Sequence, residues 1–270
     1  MLVGSFDEVF LALPDEVILA VARGHQRYFG LRAPDGRLLP KYLAVVNTAE
    51  HPDTIRLGND RVMRARLADA RFFHEEDLKH RLEDRRQDLA GIVFQNRLCS
   101  VLDKVTRIEK LVEHLGQALD LPAAVVEAAG RGAALCKCDL VTWMVGEFPE
   151  LQGEMGRAYA LCQGVEPLVA EVIRDHYRPK GASDAIASAP AAALVALADR
   201  LDSLVGCFAV GLSPSGGADP YGLRRACLGV LRTLLDQRFD LGLSAAIAAA
   251  YAGYAGVELD LDEPTLVGKL

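Results

Sequence analysis

The 270-residue sequence predicts a mainly α-helical protein with a small α+β portion at its N-terminal end. Past Pro52, apolar residues recur at three- and four-residue steps, which is the spacing of a buried helical face. Glycine or proline interrupts these segments at short intervals, as expected at helix ends. Before Pro52, residues 27–47 instead predict two strands joined by a turn at Pro34, Asp35 and Gly36.

The composition is that of a folded globular protein. Hydrophobic residues make up 51% of the chain and charged residues 25%, which excludes global disorder. The formal net charge of −7 argues against a protein that binds polyanions over its whole surface. It leaves room for a local basic surface, because phosphate contacts depend on where the arginines lie.

The sequence indicates a soluble protein of a reducing cytoplasm. Its six cysteines lie mostly inside apolar helical patterns and lack the regular spacing of a disulfide framework. Residues 1–10 lack the basic flank and long apolar run of a secretory signal. The longest apolar stretch, residues 243–254, is much shorter than the roughly 20 residues needed to span a bilayer, so we expect no membrane contact.

Changes of pattern along the chain predict four segments. Residues 1–58 form an α+β portion that is part of a larger domain, and residues 59–98 form a charged helical connector. Residues 99–240 form a helical domain. Residues 241–270 begin a truncated C-terminal helical region, because the final residues, 257–270, complete no predicted element.

The individual elements follow from local signals. A short helix begins at Pro14 and ends near Ala22, and the hairpin after it needs further strands, since a lone hairpin is unstable. Asn59 is predicted to cap a helix that ends near Phe73. Besides a central pair, the other helices are predicted at residues 75–90, 100–118, 122–130, 133–145, 149–162, 166–177 and 244–254.

The central pair of helices lies within residues 191–229, around a hinge rich in glycine and proline. Asp199 lies opposite the apolar stripe of the first helix, on a side that is itself small and apolar, so this helix is predicted to be buried on two sides. A buried carboxylate needs a partner or a chemical role. The second helix is predicted to begin at Asp219 and Pro220. The stripe consists of Leu194, Leu197, Leu201, Leu204 and Phe208.

An arginine-rich segment, residues 56–71, has two interpretations. It is either a solvated helix face with internal ion pairs, such as Asp60 with Arg64, or a face that contacts phosphate groups. Residues 213–219, SPSGGAD, could cradle a phosphate before a helix, but they lack the lysine and glycine spacing of a P-loop. A simple hinge is the commoner interpretation of that segment.

The pair Cys136 and Cys138 resembles half of a zinc site. If both cysteines lie on one helix, they point about 200° apart and cannot bind one ion. No second cysteine pair completes such a site. We therefore expect both cysteines to be small buried hydrophobic residues.

Two segments resemble HD-type metal-dependent phosphohydrolases, which are all-helical domains named for a consecutive His and Asp. Residues 196–204, ALADRLDSL, resemble the segment with that family's last aspartate, here Asp199. Residues 133–141, AALCKCDLV, resemble the segment of the His-Asp pair, but Cys138 stands where the histidine should precede Asp139.

The missing histidine makes this a poor transition-metal site, because two carboxylates lack imidazole partners and His114 is only the nearest alternative. We interpret residues 99–240 as an HD-like helical domain and expect no bound metal. Its degenerate HD site consists of Cys138, Asp139 and Asp199.

Long collinear segments cover essentially the whole chain and resemble the central part of the bacterial glycyl-tRNA synthetase β subunit. They are GSFDEVFLALPDEV, GHQRYF, GNDRVMRARLADARFFHEEDLK, DKVTRIEKL, CDLVTWMVGEFPELQGEMGRAYA, ALADRLDSLVG and DPYGLRRACLGVLR.

The resemblance implies a fragment of an α2β2-type glycine–tRNA ligase that joins glycine to tRNA(Gly) with ATP. Adenylate chemistry would belong to the α subunit, while the β subunit binds tRNA and completes the assembly. A homodimer of β within the heterotetramer is one arrangement that the resemblance allows. ATP and Mg²⁺ are then expected for the holoenzyme, and no cofactor or catalytic residue is expected in this fragment.

The resemblance also gives the arginines a role, because guanidinium groups suit phosphates. The alternatives are a surviving HD-type phosphohydrolase and a non-catalytic scaffold derived from the synthetase. The predicted tRNA-binding residues are Arg61, Arg64, Arg66 and Arg71 in one patch and Arg224 and Arg225 in another.

Overall fold

The computed structural model describes residues 1–24, 26–48 and 50–270. The fold is mainly helical with one small antiparallel sheet, as the sequence predicts. The α-helices are α1 (Asp15–Gly24), α2 (Pro52–Asp77), α3 (Val101–Ala118), α4 (Ala123–Leu135), α5 (Trp143–Glu147), α6 (Glu154–Cys162), α7 (Pro167–Asp175), α8 (Pro190–Ala209), α9 (Leu223–Gln237), α10 (Leu243–Ala252) and α11 (Glu263–Lys269).

The chain divides into two compact units. Unit 1 consists of residues 1–81 and 142–155, and unit 2 consists of residues 82–141 and 156–270. These units do not follow the segment boundaries predicted from the sequence. One reason is that Asp77 accepts hydrogen bonds from the backbone N–H groups of Trp143 and Met144, each at 3.0 Å, which ties a distant segment to unit 1.

The sheet of unit 1 contains the predicted hairpin and one strand that the sequence did not indicate. Strands β2 (Phe29–Arg32) and β3 (Leu38–Ala44) form the hairpin, and β1 (Leu2–Ser5) pairs antiparallel with β3. The strand order is β1-β3-β2. The earliest residues thus supply the sheet neighbour that a hairpin needs.

Helix α2 is bound to this sheet through Asp60. Its carboxylate accepts hydrogen bonds from the Tyr42 hydroxyl at 2.7 Å and from the Ser5 backbone N–H at 2.9 Å. Gly4 is required at this contact, since a Cβ there would lie 2.1 Å from the Tyr42 ring. The predicted Asp60–Arg64 pair is therefore wrong, and the arginine beside Asp60 is Arg56, at 3.4 Å.

The predicted start of this helix is also wrong. Helix α2 begins at Pro52, so Asn59 lies inside it and caps nothing, and the helix continues to Asp77 without the predicted break. Proline suits the first helical turn because its missing N–H would have no partner there. Residues Glu83–Gly91, predicted as part of a second α-helix, form a 3₁₀-helix.

Unit 2 is built around α8. The stripe residues Leu194 and Leu197 are fully buried, and so are Val195 and Ala196 on the other side of the helix. Helices α3, α4, α7, α9 and α10 all contact it. The prediction that this helix is buried on two sides is confirmed.

The helix predicted at residues 133–145 does not exist as one element. Helix α4 extends to Leu135, and a 3₁₀-helix, Cys138–Val141, follows within unit 2. Cys136 and Cys138 therefore do not share an α-helix, contrary to the expectation from the sequence. Both are nevertheless buried, in two different apolar clusters. Burial raises the pKa of each thiol to about 12.

Two further elements differ from prediction. A 3₁₀-helix, Pro149–Leu151, precedes α6, so residues 149–162 are not one helix. Near the C-terminal end, α11 forms where no element was predicted. The Asp262 side chain caps it by accepting a hydrogen bond from the Thr265 N–H at 3.0 Å, and Leu266 is fully buried. Within the described part of the chain, no helix has both the length and the apolar character needed to cross a bilayer.

Candidate functional site

Asp199, on α8, is paired with two buried lysines. Lys104 Nζ lies 2.8 Å from its Oδ1, and Lys137 Nζ lies 2.9 Å from its Oδ2. The two lysine side chains are only 6% and 7% exposed. Ammonium groups therefore cover both oxygens with which this carboxylate would bind a metal ion.

Asp202, one turn further along α8, extends the same network. Its Oδ2 lies 3.0 Å from Lys104 Nζ, and its Oδ1 accepts a hydrogen bond of 2.6 Å from Arg107 Nε. The Arg107 guanidinium also packs over the Tyr254 ring, 4.1 Å from its centroid. We call this network, together with the neighbouring His176, the lysine–aspartate cluster. It consists of Lys104, Arg107, Lys137, His176, Asp199 and Asp202.

The charged groups of the cluster stabilise one another in their ionised forms. Burial alone disfavours the ionised form of Asp199, but the ammonium groups of Lys104 and Lys137 outweigh it and hold the pKa of Asp199 well below its ordinary value. Burial likewise opposes the charge on Lys104, yet Asp199 and Asp202 raise its pKa. The arrangement is a buried ion network in which three cations surround two carboxylates.

His176 is a member of the cluster that the sequence did not single out. Its Nε2 lies 2.9 Å from Lys137 Nζ, and its Nδ1 lies 2.8 Å from the carbonyl oxygen of Ile173. A carbonyl only accepts and an ammonium only donates, so these contacts assign the neutral imidazole with its proton on Nδ1. Burial, followed by the charge of Lys137, lowers the pKa of His176 well below its ordinary value.

The other two residues of the degenerate HD site are also buried. Asp139 Oδ2 accepts a hydrogen bond of 3.0 Å from the Gly156 N–H, and the Cys138 thiol lies 3.7 Å from the carbonyl oxygen of Ala134. Burial, followed by the charge of Asp139 and less strongly by Cys136 and Asp199, raises the pKa of the Tyr177 phenol well above its ordinary value. His114, the histidine considered from the sequence, is exposed and lies outside the cluster.

This geometry does not fit a metal centre. Lysine ammonium groups take the Asp199 oxygens, and a thiol replaces the histidine before Asp139. The described residues contain no group of three or more His, Cys, Asp or Glu side chains placed to hold a metal ion. The cluster therefore has a structural role, because its charged groups fix the packing of α3 against α8.

The predicted arginine patch on α2 is only partly one surface. Arg61 and Arg64 are exposed, and neither makes an ion pair with any residue that the structure describes. Arg71 shares their face, but it pairs with Glu75 at 3.2 Å. Arg66 is half-buried and lies about 140° around the helix from Arg61.

The second predicted patch lies at the beginning of α9. Arg224 and Arg225 are exposed in its first turn. The helix begins at Leu223, after Gly222, and not at Asp219 as predicted. Asp219 still acts as a cap, since its carboxylate accepts the N–H groups of Leu223 at 2.8 Å and Arg224 at 3.0 Å.

Comparison with known sequences decides the family. The family profile described as "Glycyl-tRNA synthetase beta subunit" matches residues 1–267. The chain belongs to the glycyl-tRNA synthetase β-subunit family. A relative named "Glycine--tRNA ligase beta subunit" from Desulforamulus reducens is 47% identical over 263 residues, which cover 97% of this chain and 38% of that protein.

Two other relatives of the same name support this membership. The protein from Trichlorobacter lovleyi is 49% identical over 247 residues, covering 91% of this chain and 36% of the relative. The protein from Myxococcus xanthus is 49% identical over 248 residues, covering 91% of this chain and 35% of the relative. The chain thus spans little more than a third of the length of these β subunits.

Sequence reasoning located Asp199 but missed the lysines and the histidine beside it. Lys104 carried a usable signal, because it lies on the apolar stripe of α3 between the buried Val101 and Ile108. Lys137 was visible in the CKCD segment but was overlooked between two cysteines. His176 had no comparable signal, since its partner Lys137 is 39 residues away in the chain.

Proposed function

We propose that this chain is a tRNA-binding and assembly part of the β subunit of glycine–tRNA ligase. The observation that carries the proposal is the exposed guanidinium pair of Arg61 and Arg64, on a chain of the β-subunit family. An exposed arginine without an internal partner keeps its full set of donors for a phosphate. Relatives named for the ligase make tRNA the polyanion that these groups would meet.

The same reasoning assigns a second phosphate-contacting surface at the beginning of α9. Arg224 and Arg225 are exposed there, close to the positive end of the helix dipole. Because the formal net charge of the chain is −7, attraction to RNA must come from such local groups. Arg66 and Arg71 contribute less, since one is half-buried and the other is paired with Glu75.

The chemical step is proposed to lie elsewhere in the enzyme. The α subunit would bind ATP and Mg²⁺ and form glycyl-adenylate, and the β subunit would deliver tRNA(Gly) within an α2β2-type assembly that contains a β homodimer. No catalytic residue is assigned to this chain. The reaction belongs to the cytoplasm, where protein synthesis uses the charged tRNA.

The alternative of an HD-type phosphohydrolase has less support. Its metal would need Asp199, and the lysine–aspartate cluster already neutralises that carboxylate. A scaffold without RNA contact is the other alternative. It offers no reason for Arg61 and Arg64 to remain exposed and unpaired among the described residues.

Photocrosslinking of tRNA to the 270-residue chain, followed by mass spectrometry of the linked peptides, tests the proposal. We expect peptides from the exposed face of α2 and from the first turn of α9. The peptide that contains Glu147, an exposed acidic position on α5, serves as the internal control. Lack of any tRNA-dependent crosslink would contradict the function, and crosslinks confined to other helices would contradict the assignment of α2 and α9.

Glycine-dependent pyrophosphate exchange tests the division of labour. The pure chain, supplied with Mg²⁺, ATP and glycine, is expected to give no exchange above the rate without protein. Addition of a separately prepared α subunit provides the positive control. Turnover by the chain alone would show that adenylate chemistry is not confined to the α subunit.

A further inference from the structure

A pocket of about 440 Å³ opens between α3 and α10 in unit 2. Neither the degenerate HD site nor the arginine patches include its lining. We call it the α3–α10 pocket. Its lining includes Arg107, Lys110, His114, Asp202, Ala252 and Gly253.

The polar groups of this pocket share one face of α3. At 3.6 residues per turn, Arg107, Lys110 and His114 lie within about 60° of one another around the helix axis. Lys110 and His114 are exposed, and neither makes an ion pair with any described residue. Arg107 is buried, with its side chain 8% exposed, and forms the inner end of the row.

The one carboxylate in the lining is already neutralised. Asp202 is bound by Lys104 and by Nε and Nη2 of Arg107. Arg107 also hydrogen-bonds to the Tyr254 side chain, and its Nη1 takes no part in the bonds to Asp202. The pocket therefore presents positive charge to an incoming group.

The wall of the pocket opposite α3 leaves room for a ligand to approach the basic side chains closely. It is made mostly of alanine and glycine from the end of α10, including the exposed Ala252. A Cβ at Gly253 would lie tightly against the Ala250 carbonyl oxygen, at 3.1 Å, and in ordinary contact with the Arg107 side chain, at 3.5 Å. Small side chains leave space for a compact anion beside the cations.

A second groove, on another side of α3, carries acidic residues. This groove, of about 610 Å³, lies between α3 and α4, and its lining carries Glu109, Glu113 and Glu127 with no basic residue. Glu109 lies about 100° to 160° around α3 from the members of the row Arg107, Lys110 and His114, and Glu113 lies about 60° to 120° from them. Glu109 is paired with Arg86, but the exposed Glu113 and Glu127 disfavour a polyanion in this groove, whereas the basic row attracts one.

We propose that the α3–α10 pocket binds a phosphate group, and that its occupant is a phosphodiester of bound RNA. This inference rests on the proposed tRNA-binding function and adds contact residues that the resemblance does not name. Lys110 and His114 bind the phosphate oxygens from the rim, and Arg107 donates from the floor. Phosphate matches the pocket because its several oxygens can accept from more than one cation at once.

The test compares tRNA affinity and its salt dependence for the whole chain and its variants. Lys110→Gln with His114→Gln should weaken tRNA binding several-fold and lower the slope of log affinity against log salt by about 0.7 to 0.9 for each phosphate that the variant no longer neutralises. Ala252→Glu, which adds a carboxylate to the open wall, should weaken binding as well. Lys110→Arg should preserve affinity and slope.

Two controls exclude a general charge effect. Lys180→Gln removes an exposed lysine of the same unit outside the pocket, and Glu127→Gln removes an exposed carboxylate of the acidic groove from α4. Both should keep the slope of the unmodified chain. Because Lys110, His114 and Ala252 are exposed, circular dichroism should show that their variants remain folded.

The outcomes separate the two proposals. If tRNA binds but all the pocket variants behave like the Lys180→Gln control, the pocket proposal is overturned and the tRNA-binding function stands. If neither the unmodified chain nor any variant binds tRNA, the pocket proposal and the tRNA-binding function are both contradicted. Adenosine monophosphate is the small-phosphate probe. If Ala252→Glu abolishes binding of this nucleotide but leaves the tRNA affinity unchanged, the proposal that the pocket contacts RNA is also overturned.

Discussion

The ammonium nitrogen of Lys137 lies 2.9 Å from Oδ2 of Asp199, in the interior of unit 2. The Lys104 ammonium lies on the other carboxylate oxygen, at 2.8 Å. The chain's own cations thus hold Asp199, the residue that the sequence predicts as the last aspartate of a degenerate HD site. The site has the composition of a buried ion network and not of a metal centre.

Loss of Lys137 should destabilise unit 2. Removal of one partner from a buried pair leaves a poorly compensated charge, so Lys137→Met should lower the free energy of unfolding by roughly 3 kcal/mol. Urea unfolding followed by circular dichroism measures the change. Lys180→Met, at an exposed lysine of the same unit, should cost much less. Equal effects of the two substitutions would contradict the role of the Lys137–Asp199 pair.

His176 should make the protein less stable as the pH falls below about 6.5, the ordinary pKa of histidine. Its pKa in the folded protein lies well below that value, first because of burial and then because of Lys137. Below about pH 6.5 the histidine is therefore protonated in the unfolded chain but not in the folded chain. The free energy of unfolding decreases as the pH is lowered through this range, by up to about 1.4 kcal/mol per pH unit. Asp199 acts in a separate window, because its lowered pKa makes its contribution disappear only below about pH 3.9.

The measurement is the free energy of unfolding at pH 7.5, 6.5 and 5.5 for the unmodified chain and for His176→Gln. The variant should show a flatter dependence on pH. His114→Gln, at an exposed histidine outside the cluster, is the matched control and should follow the unmodified chain. An unchanged pH dependence in His176→Gln would remove His176 as its source.

The protein should bind no tight transition metal at the degenerate HD site. Cys138 replaces an imidazole ligand, and lysine ammonium groups cover both Asp199 oxygens. Elemental analysis of protein prepared without chelator checks this expectation. Stoichiometric manganese, iron or zinc that disappears in Asp199→Ala would show that the site still binds metal.

Patterns within one helix were predictable from the sequence, whereas contacts between distant segments were not. The double-sided burial of α8 followed from the positions of Leu194, Val195 and their neighbours, and the structure agrees. The prediction that buried Asp199 needs a partner was also correct. The partners themselves could not be identified, because Lys137 lies 62 residues away and Lys104 lies 95 residues away in the chain.

Element boundaries were missed where local signals competed. Asn59 is a good capping residue, yet α2 begins at Pro52 and continues past it, because Asp60 anchors the helix to Tyr42 of the sheet. Strand β1 has only four residues, too few for an alternating pattern to be visible. The sequence of α11 does contain a helix-start pattern, an aspartate cap followed by a proline at Pro264. The same residue types are also common in irregular chain ends, so the pattern did not predict a helix.

We propose that this chain binds tRNA through exposed cations and not by reading bases. The most direct measurement is the affinity for tRNA(Gly) and for an unrelated tRNA at several salt concentrations, with Arg61→Gln plus Arg64→Gln compared with the unmodified chain. We predict similar affinity for both tRNAs and a slope of log affinity against log salt that is lower in the double variant by about 0.7 to 0.9 for each phosphate that it no longer neutralises. Arg23→Gln plus Arg37→Gln, at exposed arginines of the same unit, should keep the original slope. An unchanged slope in the Arg61 and Arg64 variant, or strong preference for tRNA(Gly), would contradict this account.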